Sequence, residues 1–176
     1  MASGPRFTVK YRRRREIRTN YHHRLALLKS GQHRLVIRKT NKYIICQIID
    51  YHETGDTVLA AAHSKQLLKL GWKHNCSNTS AAYLTGLMLG AAAQKAKVKN
   101  AIYDSGLYPS TKGSLLYAAL KGVVDAGLDI PHTADIFPAE DRISGKHTKA
   151  KDLSKDMEAV KKKIQLNKGS VEPKVK

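Results

Sequence analysis

The sequence predicts a mixed α/β fold with elements in the order β-β-β-α-β-α, and three observations predict it. Two β-branched runs, Leu35-Val36-Ile37-Arg38-Lys39-Thr40 and Tyr43-Ile44-Ile45-Cys46-Gln47-Ile48-Ile49-Asp50, flank a connection of only Asn41-Lys42, which is the pattern of a hairpin. A stretch crowded with Ala and Gly, from about 80 to 96, has the length of a helix and not of a strand. A short apolar run, Ala101-Ile102-Tyr103-Asp104-Ser105, then separates it from a second helical stretch. Connection rules place the fourth strand parallel to the first, so a mixed four-stranded sheet with packed helices is expected.

Each element has its own local signal. Ile17, Tyr21, Leu25 and Leu28 recur at helical spacing, with Ser30-Gly31 as a stop, so an N-terminal helix with one narrow apolar stripe is expected. The hairpin follows it. Glu53-Thr54-Gly55-Asp56 reads as a turn and Thr57-Val58-Leu59-Ala60-Ala61-Ala62-His63 as a third, antiparallel strand. The only tryptophan, Trp72, falls in an irregular stretch. Beyond it, Ala81, Ala82, Gly86, Gly90, Ala91, Ala92 and Ala93 make the first long helix thin enough to lie close to its sheet. A loop over 106–113 leads to the second helix, about 114 to 126, stopped at Gly127. Leu153, Met157, Val160, Ile164 and Leu166 suggest a last helix over about 150–166, and a disordered end over 169–176.

Charge divides the chain more sharply than hydropathy does. Residues 1–34 hold ten Lys/Arg and a single acid, Glu16, which is half of the formal +18. Residues 35–100 carry nine cations and three acids, residues 101–145 three and six, and residues 146–176 ten and four. Three regions are therefore expected: a basic N-terminal arm and helix (1–34), a globular α/β domain (35–132) and a basic, Lys-rich C-terminal extension (133–176).

Such a density of like charge calls for a polyanion. Tyr11, Asn20, Tyr21, Asn41 and Tyr43 lie among the cations, and such side chains stack on bases or bond to their edges, which favours nucleic acid over a membrane or an acidic protein. A membrane-surface helix would want a wide face with Trp or Phe. No run approaches the roughly 18 apolar residues of a membrane span, so a soluble, intracellular chain is expected. A transit peptide shares the Arg-rich, acid-poor composition, but here the basic stretch passes without a break into helix and strand. The residues expected to meet RNA are Arg6, Lys10, Tyr11, Arg12, Arg13, Arg14, Arg15, Arg18, Tyr21, Arg24 and Arg34. Arg38, Lys39, Asn41, Lys42 and Tyr43 follow at the hairpin, with Ser110, Thr111, Lys112, Lys146 and His147 beyond it.

Two other chemistries have partial residue sets. His74 and Cys76 with His22-His23 lack the paired spacing of a structural zinc site, and no cofactor is expected. Asp50, Asp104 and Asp125 are the right groups for a metal-dependent nuclease, although Asp50 ends the second strand and Asp125 ends a helix, where solvated or turn-forming acids are common. The two cysteines, Cys46 and Cys76, read as free thiols.

Several segments together resemble one family. Gly4-Pro5-Arg6-Phe7, Arg12-Arg13-Arg14-Arg15-Glu16, Arg18-Thr19-Asn20-Tyr21-His22, Leu27-Leu28-Lys29-Ser30-Gly31, Arg34-Leu35-Val36 and Arg38-Lys39-Thr40-Asn41-Lys42 are similar to the start of the 5S rRNA-binding large-subunit ribosomal protein eighteen family, archaeal and eukaryotic type. Ala82-Tyr83-Leu84-Thr85-Gly86, Asp125-Ala126-Gly127-Leu128-Asp129-Ile130-Pro131-His132, and Arg142, Gly145 and His147 continue the likeness over roughly residues 4–150. The resemblance implies an RNase-H-like fold and a non-catalytic role in the central protuberance of the large ribosomal subunit. There the chain would anchor 5S rRNA to the large-subunit rRNA beside neighbouring ribosomal proteins, with no membrane and no small-molecule substrate. The lack of the long eukaryotic C-terminal extension points to the archaeal form, although the tail is Lys-rich where some archaeal relatives are acidic.

Overall fold

A computed structural model describes residues 4–148 and 152–166; the expected disordered end over 169–176 lies outside them. Four strands form one sheet: β1 (Arg34–Lys39), β2 (Ile44–Asp50), β3 (Thr57–His63) and β4 (Ile102–Asp104). Their spatial order is β3-β2-β1-β4. β1 pairs antiparallel with β2, β2 antiparallel with β3, and β4 parallel with β1. The mixed sheet is as expected, each strand beginning and ending within about two residues of its sequence pattern. A shift of register between Ile48 and Ile49 bulges the β2–β3 ladder. β3 forms the outer edge, with Val58 and Leu59 exposed.

Side chains alternate across a strand, and here the alternation sorts hydrocarbon from charge. Leu35, Ile37, Ile44, Cys46 and Ile48 are fully buried in the main core. That core is closed by the helices α3 (Thr79–Lys95) and α4 (Leu115–Asp125). Arg34, Val36 and Arg38 belong to the other face. Cys46 and Cys76 are buried free thiols, and burial pushes the Cys46 thiol up to about 12.

α3 begins at Asn78, whose side chain accepts the Ala81 amide at 2.7 Å, satisfying one of the unpaired N–H groups of the first turn. It is apolar on nearly every side, as a helix buried on two fronts must be. One front meets α4 at two glycines. A Cβ on Gly86 would sit 2.1 Å from the Ala119 carbonyl oxygen, and one on Gly122 2.2 Å from that of Tyr83. The other front meets a second core made with Leu67, Trp72, α5 (Glu140–Ser144) and α6 (Leu153–Leu166).

α6 presents Leu153, Met157, Val160 and Ile164 to that second core, while Leu166, read with them as one stripe, is 81% exposed. Its distance of two from Ile164 turns it off the buried face. Trp72 is 2% exposed and follows a short 3-10 helix, Ser64–Leu70, where the sequence suggested only irregular chain.

The N-terminal helix departs most from expectation. It is two pieces, α1 (Arg12–Arg15) and α2 (Tyr21–Leu28). Ile17 between them has φ 51°, and Asn20 caps α2 by accepting the His23 amide at 3.2 Å. An Asn that bonds its own downstream backbone competes with helix continuation, so the stripe Ile17, Tyr21, Leu25, Leu28 never forms. Ile17 and Leu25 are exposed and Leu27 is the buried residue. The stop at Gly31 stands, with φ 64°.

Candidate nucleic-acid interface

The site is built where the N-terminal segment crosses the charged face of the sheet. Arg34 is the centre of it. Its side chain is 4% exposed and donates to Asp56 at 2.6 Å and to Asp104 at 3.2 Å. Asp56, on the β2–β3 turn, also accepts two hydrogen bonds from one Arg24 nitrogen of α2, each 2.9 Å. Asp104 ends β4 beside Val36 and is also reached by Arg38, at 3.5 Å. Arg38 further donates to the carbonyls of Ile37 and Asp104 at 2.9 Å each. Two carboxylates thus hold three arginines and tie α2, β1, the β2–β3 turn and β4 together.

The sequence predicts an RNA-facing cation at Arg34; the structure puts it inside, because position 34 lies on β1 where α2 and the turn cover the sheet. A buried guanidinium needs its counter-charges. Arg34→Ala is expected to cost about 2 kcal/mol by denaturant unfolding, less than the ~3–5 kcal/mol of a fully buried pair because Asp56 keeps some solvent. No change in the unfolding midpoint would show the pairs to be ornamental.

Above this network lies a cleft of about 240 Å³, lined by five arginines, Arg13, Arg18, Arg24, Arg34 and Arg38, against two acids, Asp56 and Asp104. Thr19, Asn20 and His23 close its arm side. A neighbouring hollow of about 230 Å³ has Arg14, Ile17, Tyr21, His22 and Leu107 in its wall. Tyr11 leans on Tyr21 with ring centres 5.4 Å apart. Glu16 sits between Arg12 (3.6 Å) and Arg18 (3.1 Å). Arg6, Lys10, Tyr11, Arg12, Arg13, Arg14, Arg15 and Arg18 are all exposed.

The remaining expected residues fall into two further groups. Lys39, Asn41 and Lys42 are exposed at the hairpin end, and Tyr43 is half-buried with its ring 5.1 Å from that of His63. The loop carrying Ser110, Thr111 and Lys112 is brought to them, since the Tyr108 hydroxyl donates to the Lys39 carbonyl at 3.0 Å. Ser110 itself bonds the Tyr117 hydroxyl. Lys146 and His147 follow α5 and line neither cavity; His147 meets the Asp141 carbonyl at 3.2 Å. Sequence reasoning missed Thr19, His23 and Asp56 as parts of the site. Asp56 lies 22 and 32 residues from the arginines it holds, and no local pattern in the sequence marks it as their counter-ion.

The three acids weighed for nuclease chemistry do not meet. Asp50 faces His33 at 3.3 Å, Asp104 holds Arg34 and Arg38, and Asp125 accepts from the Tyr83 hydroxyl at 2.8 Å. His74 is paired with Asp156 at 3.1 Å. Among the described residues no three His, Cys, Asp or Glu side chains are grouped to hold a metal ion, and no helix is long and apolar enough to cross a membrane.

A mixed-sheet core carrying a cationic arm that is anchored by few contacts defines a class: small basic α/β proteins whose charge requires an anionic partner. The family described as ribosomal large subunit proteins 60S L5 and 50S L18 matches residues 5–105 and 91–133. The chain is 56% identical over 147 residues to the large ribosomal subunit protein uL18 of Korarchaeum cryptofilum, covering 84% of this chain and 75% of that protein. It is 49% identical over 166 residues to the protein of the same name from Methanococcus maripaludis, covering 93% and 86%. The chain belongs to this family of large-subunit ribosomal proteins.

Proposed function

We propose that the chain binds 5S rRNA through its N-terminal arm and hairpin end, and helps anchor it to the large-subunit rRNA in the central protuberance. Membership of the family makes it a structural constituent of the large subunit, in the ribosome of the cytoplasm. The observation that carries the finer reading is the arm: seven exposed Lys/Arg side chains between Arg6 and Arg18 face a single acid. Phosphate contacts by such residues orient the protein, and unpaired bases or 2′-hydroxyls supply selection. In this reading Tyr11, Tyr21, Asn41 and Tyr43 take the second task. In the same reading the acid-rich segment over 101–145 faces a neighbouring ribosomal protein, since it would repel phosphate, and the protein has no catalytic role.

Binding to 5S rRNA is expected to be steeply salt-dependent. Each neutralised phosphate contributes about −0.7 to −0.9 to the log–log slope, so eight engaged cations give roughly −6. Filter binding across a salt series, with transfer RNA as the competitor, measures both slope and selectivity. A slope shallower than about −3, or equal affinity for both RNAs, overturns the proposal. Labelled 5S rRNA should stay intact in the presence of Mg²⁺.

A further inference from the structure

We propose that the cleft between arm and sheet holds one backbone phosphodiester of the RNA, gripped by Arg13 from the arm and Arg38 from the sheet, and that this phosphate fastens the arm down. The inference rests on the reading that the chain binds rRNA. It adds a locus, a stoichiometry and a consequence for the arm.

Five guanidinium groups face two carboxylates in the cleft, an excess of three positive charges. They are not equally committed. Arg24 and Arg34 are held on Asp56 at 2.9 and 2.6 Å, and Arg18 on Glu16 at 3.1 Å. Arg13 makes one neutral bond, from Nε to the Thr19 hydroxyl at 2.9 Å. Arg38 spends one terminal nitrogen on two carbonyls and leaves the other a long 3.5 Å from Asp104, with 36% of its side chain exposed. These two, one on each wall, retain donors for an incoming anion. The cleft also contains unmet polar atoms. Arg34 Nε and His23 Nε2 are buried with no hydrogen-bond partner among the described residues, and Arg34 is more than nine-tenths buried. A buried donor without a partner is rare, and Arg34 Nε, which can only donate, points to a missing acceptor. A phosphodiester supplies it: two charged oxygens match the planar forks of two arginines approaching from opposite sides.

The geometry makes a quantitative demand. Two arginines on one phosphate form a unit, so losing either forfeits the same contact, and a double-mutant cycle reports the coupling. Arg13→Gln, Arg38→Gln and the double variant are compared with wild type in the salt series on 5S rRNA, after circular dichroism. Each single variant is expected to flatten the slope by about one phosphate, 0.7–0.9, with roughly tenfold weaker binding. The double variant should lose no more than about twofold beyond either single one. Slope losses that add in the double variant, to about two phosphates, would mean two independent contacts and overturn the proposal. So would unchanged slopes in all three variants, an outcome that leaves the cleft to an acidic protein side chain. Should Arg38→Gln not fold, Arg38→Lys replaces it in the cycle; it keeps the charge and removes the fork, so its own slope stays near wild type and the coupling is read from affinity, where losses that add to those of Arg13→Gln overturn the proposal. Failure of the wild-type protein to bind overturns the proposed function itself, and is read from the wild-type arm alone.

Discussion

Removing residues 1–15 is expected to leave the fold standing and to weaken 5S rRNA binding roughly ten- to a thousandfold at moderate salt. The deletion takes six basic side chains, Arg6, Lys10 and Arg12 to Arg15, and no buried one among the described residues. What the folded core loses is slight: the Tyr11–Tyr21 ring contact, the Arg13–Thr19 bond and the Arg12–Glu16 pair. An exposed pair of this kind contributes little, so the melting temperature should move by only a few degrees. The affinity loss falls short of six full contacts because an arm so lightly held spends part of its interaction energy on becoming ordered. A truncated protein that is folded by circular dichroism and still binds as tightly as the full chain would place recognition on the core alone.

The second large effect lies in the helix pair beneath the sheet. Gly86→Val is expected to destabilise the protein by at least about 3 kcal/mol, the upper end of overpacking costs. The obstacle is backbone: the added carbon meets the Ala119 carbonyl at 2.1 Å and the Val123 amide nitrogen at 3.1 Å, and neither can rotate aside as a flexible side chain can. Better helix propensity than glycine returns only a few tenths of a kcal/mol. For a chain of this size the melting temperature should fall by about 6–12 °C. Gly122→Val should do the same from the opposite helix, and the double variant should lose less than the sum, since the first separation makes room for the second. A fall below about 2 °C would show α3 and α4 free to slide apart.

The parts of the fold that sequence patterns reveal are those decided locally. β3 begins and ends where its pattern does, and α3 occupies 79–95 against a reading of about 80–96, because a run of β-branched or small apolar residues is its own signal. Charge patterning likewise marked the arm, whose cations are exposed as expected. What was illegible depends on distant partners. Nothing within β1 distinguishes Arg34, which is buried, from Arg38, which is half-exposed; Asp56 and Asp104 decide it from 22 and 70 residues away. The break at Ile17 was hidden because an apolar residue at helical spacing outweighed the capping asparagine three residues later. The second core was only half visible: the stripe of α6 could be read, but not that Trp72 and α3 receive it.

The outer strand of the sheet has a consequence for the chain before it meets RNA. β3 ends the sheet with Val58 and Leu59 exposed, and an unpaired edge is a template on which another chain can add. The bulge in the ladder beside it blunts that tendency, and mutual repulsion at +18 keeps copies apart in dilute salt. Screening at cellular ionic strength shortens that repulsion to roughly 8 Å. A surplus of this protein over its RNA would therefore drift toward self-association, so its colloidal safety depends on synthesis being matched to that of the nucleic acid.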